Sequence, residues 1–344
     1  MLRKTVVFAL AVCVSCLALD LAEAQCLELV GASIEPGEYA AVAAHQHHAY
    51  VADSEEGLRV FDISRPHAPR QLTTEHTPGH PVDVAMVDRR VVLAENDFAL
   101  HVFDVSTPRS PQRVGAVKTP YPVQSLTVEP PYAYLAGFSG GLRVIDLSNP
   151  SSPFELASVN IPGMAYGVTV NGGTHAFVGT LTGGLRIVNI SKPNRPRELS
   201  SFPMNGRATE VLEAKNHLFI GGTPSKVTVV DVSDPESPRE VGAIRVSDTA
   251  RHAQHFAISQ DRLFVADDHL WMIDISDPSN ATVLAADLLP VEHEASGVTV
   301  TETGLILVTA RRGGLLIYDS ESCEPTARRA GLAPALGDDT SNAS

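Results

Sequence analysis

Histidines and carboxylates recur in one kind of segment of this chain. Seven short stretches align on a shared apolar ending: EPGEYAAV (35–42), PGHPVDV (78–84), PYPVQSL (120–126), PGMAYGV (162–168), NGRATEV (205–211), ARHAQHF (250–256) and EHEASGV (292–298). One tier of equivalent positions carries Glu38, His80, Arg207, His252 and Glu294. A second tier, three residues further on, carries Asp83, Glu210 and His255, and His293 precedes the first tier by one residue. Imidazole and carboxylate groups suit zinc and similar divalent ions. A possible metal set is therefore His80, His252, His255, His293 and Glu294, with Asp83 beside it. Such an ion would activate water for a hydrolase or lyase. Without an ion, His80, Asp83, Arg207, Glu210, His252, His255, His293 and Glu294 make a binding site for a small ligand or peptide, or a hydrated rim that holds nothing tightly. No HExxH or other spaced metal motif is present. On a strand, His252 and His255 would point to opposite faces. No G-x-S-x-G elbow occurs, and the Gly-Gly-Leu phrases lack the Lys-Ser/Thr and helix of a phosphate loop, so no catalytic residue is assigned. His45, His47 and His48 fall in a turn on the far side and read as an exposed loop.

These segments need a frame that brings distant parts of the chain together. A phrase close to G-L-R-V-x-D-x-S-x-P-x-x-P recurs seven times, with its aspartate at Asp62, Asp104, Asp146, Asp231, Asp274 and Asp319 and Asn189 in its place in the fourth copy. The copies lie roughly 42 to 45 residues apart, the period of a propeller or similar array. Each copy resolves into four short β-rich runs. In the second these are Val82–Val87, Val91–Ala94, Leu100–Val105 and Gln112–Val117, split by turn residues. The chain therefore reads as an all-β, seven-bladed β-propeller of four-stranded blades. The first strand of each blade lines the central channel, and the seven stretches above lead into those strands at one mouth. Asp and Ser bond the backbone of a tight turn and Pro presets its φ, so the repeated aspartates read as turn caps rather than metal ligands. The pairs Gly140-Gly141, Gly183-Gly184 and Gly313-Gly314 suit hairpins that need positive φ.

The seventh copy lacks a fourth strand, and Leu27–Ile34 (LELVGASI) matches the fourth strands of other copies. The amino-terminal run is thus expected to complete the last blade and close the ring. Cys323 aligns with the first turn proline and Cys26 with Ser110, on the two banks of the one turn that is broken into chain ends. A Cys26–Cys323 disulfide would replace the missing covalent turn.

The phrases GLRVFDIS (57–64), GLRVIDLS (141–148) and GLRIVNIS (184–191), each followed by x-P-x-x-P, resemble the LVIVD repeat family. The resemblance spans nearly all of residues 26–323; the sixth copy departs at Trp271-Met272 and the seventh lacks the prolines. It implies a β-propeller in a secreted or surface protein, and no particular chemistry.

The ends of the chain bear on location. Arg3 and Lys4, the apolar run 5–19 and Ala22-Glu23-Ala24 have the layout of a secretory signal peptide, with a membrane anchor or a lipidated Cys16 as the alternatives. The expected organisation is a signal peptide over 1–24, a propeller over 25–324 and a patternless tail over 325–344. Export to the periplasm, cell surface or medium follows, with no membrane span after cleavage. An oxidising compartment favours the disulfide. The net charge of −14 opposes nucleic acid and anionic lipid as partners. The expectation is a monomer that binds a protein, peptide or glycan at the channel mouth, needing no cofactor unless a divalent metal occupies the histidine set. The binding reading expects an exposed apolar or aromatic patch near Tyr39, Tyr121 and Tyr166.

Overall fold

The computed structural model describes residues 27–223, 226–246, 255–289 and 294–320. The expected signal peptide, Cys26, Cys323, His252, His293 and the tail lie outside the described residues. Seven antiparallel four-stranded sheets form the chain, and their first strands touch in ring order from blade one to blade seven and back to one. Six blades are continuous in sequence. Blade two, for example, runs Pro81–Val87, Arg90–Glu95, Ala99–Asp104 and Gln112–Lys118. The only helical element among the described residues is a 3-10 turn at Pro278–Asn280. No helix there is long and apolar enough to cross a membrane.

Blade seven is built from both ends of the chain. Ala295–Val300, Ile306–Ala310 and Gly314–Asp319 supply three strands, and Glu28–Ser33 pairs antiparallel with Gly314–Asp319, Glu28 opposite Asp319 and Ser33 opposite Leu315. The amino-terminal strand therefore closes the ring, which removes the open sheet edge that a propeller would otherwise carry.

Burial follows strand order. Second and third strands are almost wholly buried, first strands alternate, and fourth strands face solvent. Each core cluster lies between two blades. Tyr50, Leu58 and Val60 of blade one meet Val84, Leu93 and Phe103 of blade two. At the seam, Val51 and Phe61 meet Leu307, Leu315 and Ile317.

The recurrent turn is held as the Asp-x-Ser spacing requires. Asp62 Oδ1 accepts the Ser64 N–H at 3.0 Å, and Asp104, Asp146, Asn189, Asp231 and Asp274 repeat that bond to the serine two residues on at 2.8–3.1 Å. Bonds from Ser233 hold the Asp231 carboxyl at about 2. These acids are turn caps, as read from the sequence. In the glycine hairpins only the second residue of each pair needs the left-handed region, at φ 73° for Gly141 and 71° for Gly184.

Candidate functional site

The first strands carry a β-bulge at one repeated place. The register shifts between Tyr39 and Ala41, Pro81 and Asp83, Ala165 and Gly167, Ala208 and Glu210, and Ala295 and Gly297. A bulge sets two residues against one and re-aims the side chain that follows. Here it turns that side chain toward the next blade. Asp83 Oδ2 accepts the Leu126 N–H of blade three at 2.7 Å, while Oδ1 accepts the Val84 N–H at 2.8 Å. Glu210 of blade five accepts the Phe256 N–H of blade six. Where the same position is Gly297, a Cβ would sit 3.2 Å from the Val42 nitrogen and 2.9 Å from the Ala41 Cα.

These side chains line an axial cavity of about 420 Å³ that opens on the lead-in face. Asp83, Ser125, Tyr166, Glu210, His255 and Arg311 contribute to its wall. Burial raises Asp83 to about 6, against the pull of the Leu126 and Val84 amides and Ser125. Burial lifts Glu210 well above the ordinary carboxylate range, and the charge of Asp83 adds to the effect. His255 is lowered to about 4, first by burial and then by the Arg311 guanidinium. The imidazole is therefore neutral near pH 7, and the two carboxyls are poised to hold or release protons.

The structure brings four of the sequence-selected residues to this cavity: Asp83, Glu210, His255 and Glu294. His80 and Arg207 are exposed and outside the cavity wall. His80 Nδ1 is paired with Asp97, which raises the imidazole pKa. Glu38 is paired with Arg312 on the rim. Of the possible metal set, only His255 and Glu294 share the cavity among the described residues. The one group there with three ligand-type side chains within 4.8 Å is Asp267, Asp268 and His269, in the hairpin of blade six. Its atoms are engaged locally: Asp267 Oδ1 accepts the His269 N–H at 2.8 Å and Trp271 Nε1 at 3.1 Å, and His269 Nδ1 lies 2.9 Å from Asp268.

The aromatic expectation is corrected in part. Tyr39 is 1% exposed, with its ring under Arg59 at 5.4 Å, and belongs to the core. Tyr166 lines the cavity. Tyr121 is 38% exposed over Arg143, and Phe98, in the neighbouring hairpin of the same face, is 45% exposed.

Sequence reading missed the work of the arginine in the repeated phrase. Arg59 Nε donates to buried Asp53 at 2.6 Å, and its other nitrogens donate to Gln71 at 3.0 Å and the Pro36 carbonyl at 2.7 Å. Arg143 and Arg186 pair with Glu155 and Glu198 at 2.8 and 3.0 Å. In blade two His101 takes the position, 3.0 Å from Glu95. The signal that could have revealed this is the second residue of the fourth strand, where Gln71, Glu155 and Glu198 recur, paired with the residue two after the arginine.

This is a closed seven-bladed propeller whose blades share a frame and whose first strands surround a polar axial cavity. The LVIVD repeat matches at residues 36–73, 122–161, 162–203, 205–246 and 250–285, more than half of the chain, and the protein belongs to that family. No curated protein matches it in sequence. Among solved structures it is similar to the β-propeller domain of Myceliophteria thermophila Cps50 (Swd1), at 14% identity and TM-score 0.66, covering 85% of this chain and 99% of that one. The WD40 β-propeller domain of Doa1 is similar at 9% identity and TM-score 0.68, with 86% and 97% covered. The computationally designed Ika8 protein is similar at 13% identity and TM-score 0.60, with 85% and 99% covered. At such identities the likeness concerns fold alone.

Proposed function

We propose that this protein is an exported, non-enzymatic binding or scaffold module that holds a protein, peptide or glycan on its lead-in face. The observation that carries the reading is the axial cavity of about 420 Å³ opening on that face, with Tyr166 in its wall and Phe98 and Tyr121 exposed nearby. Recognition sites are commonly concave and combine aromatic anchors with a few placed polar groups. The lead-ins differ far more among blades than the strands do, so one frame presents an individual surface. Peptide and glycan arrays probed at neutral pH test the reading. A true ligand should bind about tenfold more weakly to Phe98→Asn or Tyr121→Ser, and equally well to Gln46→Ala in a hairpin turn of the opposite face. Asn suits the positive φ of 68° at Phe98. Binding that ignores both lead-in-face substitutions, or an array without any specific ligand, would refute it.

Export and a terminal cross-link complete this proposal. In an intact blade the equivalents of Cys323 and Cys26 are Pro108 and Ser110, two residues apart in a turn closed by Ser110 N–H to the Thr107 carbonyl at 2.8 Å. The pairing of Glu28 with Asp319 brings the two strand ends side by side, which supports a cross-link between the segments that follow them.

A further inference from the structure

We propose that the axial cavity takes an organic cation, a primary ammonium or guanidinium group inserted between Asp83 and Glu210. The group would arrive on a lysine or arginine side chain of a bound protein, or on a free amine. This inference deepens the binding reading above and rests on it.

Asp83 and Glu210 come from blades two and five, as far apart around a ring of seven as the geometry allows. A group on the axis is therefore flanked by both. Each carboxylate takes backbone N–H bonds from the blade edges, and neither has a cationic partner among the described residues. The fixed cation of the cavity, Arg311, acts on His255 at the blade six to seven side. The carboxylates instead oppose one another, which pushes Glu210 upward. One further wall group suits a cation: Tyr166 contributes an aromatic ring, a favoured neighbour of ammonium and guanidinium. A bare metal ion fits less well, because among the described residues neither acid belongs to a group of three ligand-type side chains within 4.8 Å. The net charge of −14 adds a long-range field that draws cations toward the molecule.

Binding an ammonium favours both carboxylates in their ionised form, so protons pass from the carboxyls to buffer while the ligand keeps its own. Calorimetric titration of the whole secreted protein with Nα-acetyl-lysine amide, Nα-acetyl-arginine amide and 1,5-diaminopentane, in Tris and in phosphate at neutral pH, measures both affinity and proton release. The expected result is millimolar or tighter binding, with a heat that differs between buffers. Affinity should fall about tenfold in Asp83→Asn and in Glu210→Gln. Ser125→Lys keeps both acids and places a cation of the protein's own beside Asp83; it should abolish binding, and its fold is checked by circular dichroism. Preference for the amino-acid amides marks a protein-borne cation; preference for the diamine marks a free one. No binding at millimolar concentration, or equal binding by wild type and all three variants, overturns the inference. If amines fail while an array ligand depends on Phe98 and Tyr121, this inference falls and the binding reading stands. If amines bind and no macromolecular ligand is found, the cation site stands and the broader reading falls.

Discussion

Closure of the ring by the amino-terminal strand can be tested with one added methyl group. Gly31 lies on that strand where it presses against the proline turn of blade one. A Cβ built there would fall 1.9 Å from the Pro66 carbonyl oxygen and 2.9 Å from the His67 Cα. Both obstacles are backbone, so relief requires the strand and turn to part by more than 1 Å. Overpacking of this kind destabilises by roughly 1–3 kcal/mol. At about 2 °C per kcal/mol for a chain of this size, Gly31→Ala should lower Tm by about 2–6 °C. Gly115 occupies the same repeat position in blade two, with the Pro150 oxygen 2.1 Å from its Cβ, and should behave alike. Gly242 is the equivalent in blade five, but its nearest neighbour, the Ser279 oxygen, is 3.5 Å away. Gly242→Ala should therefore stay within about 0.5 kcal/mol of wild type. Thermal unfolding followed by circular dichroism separates the three. A loss at Gly115 with none at Gly31 would mean that the amino-terminal strand does not seal the ring in solution. Equal losses at all three would mean that the close approach is not the cause.

Further outcomes follow from the buried charges and the chain ends. Arg59→Leu leaves Asp53, which is fully buried, without its cation and should cost about 3–5 kcal/mol in denaturant unfolding. Arg186→Leu, whose partner Glu198 is 31% exposed, should cost about 1 kcal/mol or less in the pair interaction itself. Asp83 titrates at about 6 in the fold against 3.8 ordinarily, so its ionisation opposes folding: the penalty is absent below 3.8, grows up to 6 and is constant above. The stability of Asp83→Asn relative to wild type should therefore rise by up to about 3 kcal/mol between about pH 4 and pH 7, and a difference independent of pH would contradict that account. Under the proposed export and cross-link, the protein should yield alkylatable thiols at Cys26 and Cys323 only after reduction. Reduction should destabilise it by up to about 5 kcal/mol, because the bridge spans nearly the whole chain; free thiols in the unreduced protein would exclude the bridge.

The frame was legible because its signals are local and repeated. Asp-x-Ser-x-Pro names a turn wherever it stands, and six copies make the same bond to the serine. The displaced strand at 27–34 was legible because its sequence repeats that of the other fourth strands. The arginine of the phrase was harder to read, since its partners lie 6 residues away on the preceding strand in Asp53 or 12 away on the following one in Glu155 and Glu198. Only a register between strands shows that these meet.

The site was half legible for a related reason. Alternation along a strand assigns side chains to one face or the other, and by that rule tiers three residues apart would point to opposite faces. The bulge breaks the rule. It lets Val82 and Asp83 share one partner residue, and it turns Asp83 sideways onto the amide of Leu126. Alanine and glycine fill the same position at Ala41, Gly167 and Gly297, so the close packing of neighbouring first strands does not demand an acid there. An acid at only two of seven equivalent places, on opposite sides of the axis and raised in pKa by its own burial, is destabilising at neutral pH. Turn chemistry and core packing account for the residues the blades share. They do not account for Asp83 and Glu210, and a cation recruited from outside would convert their destabilising burial into binding energy.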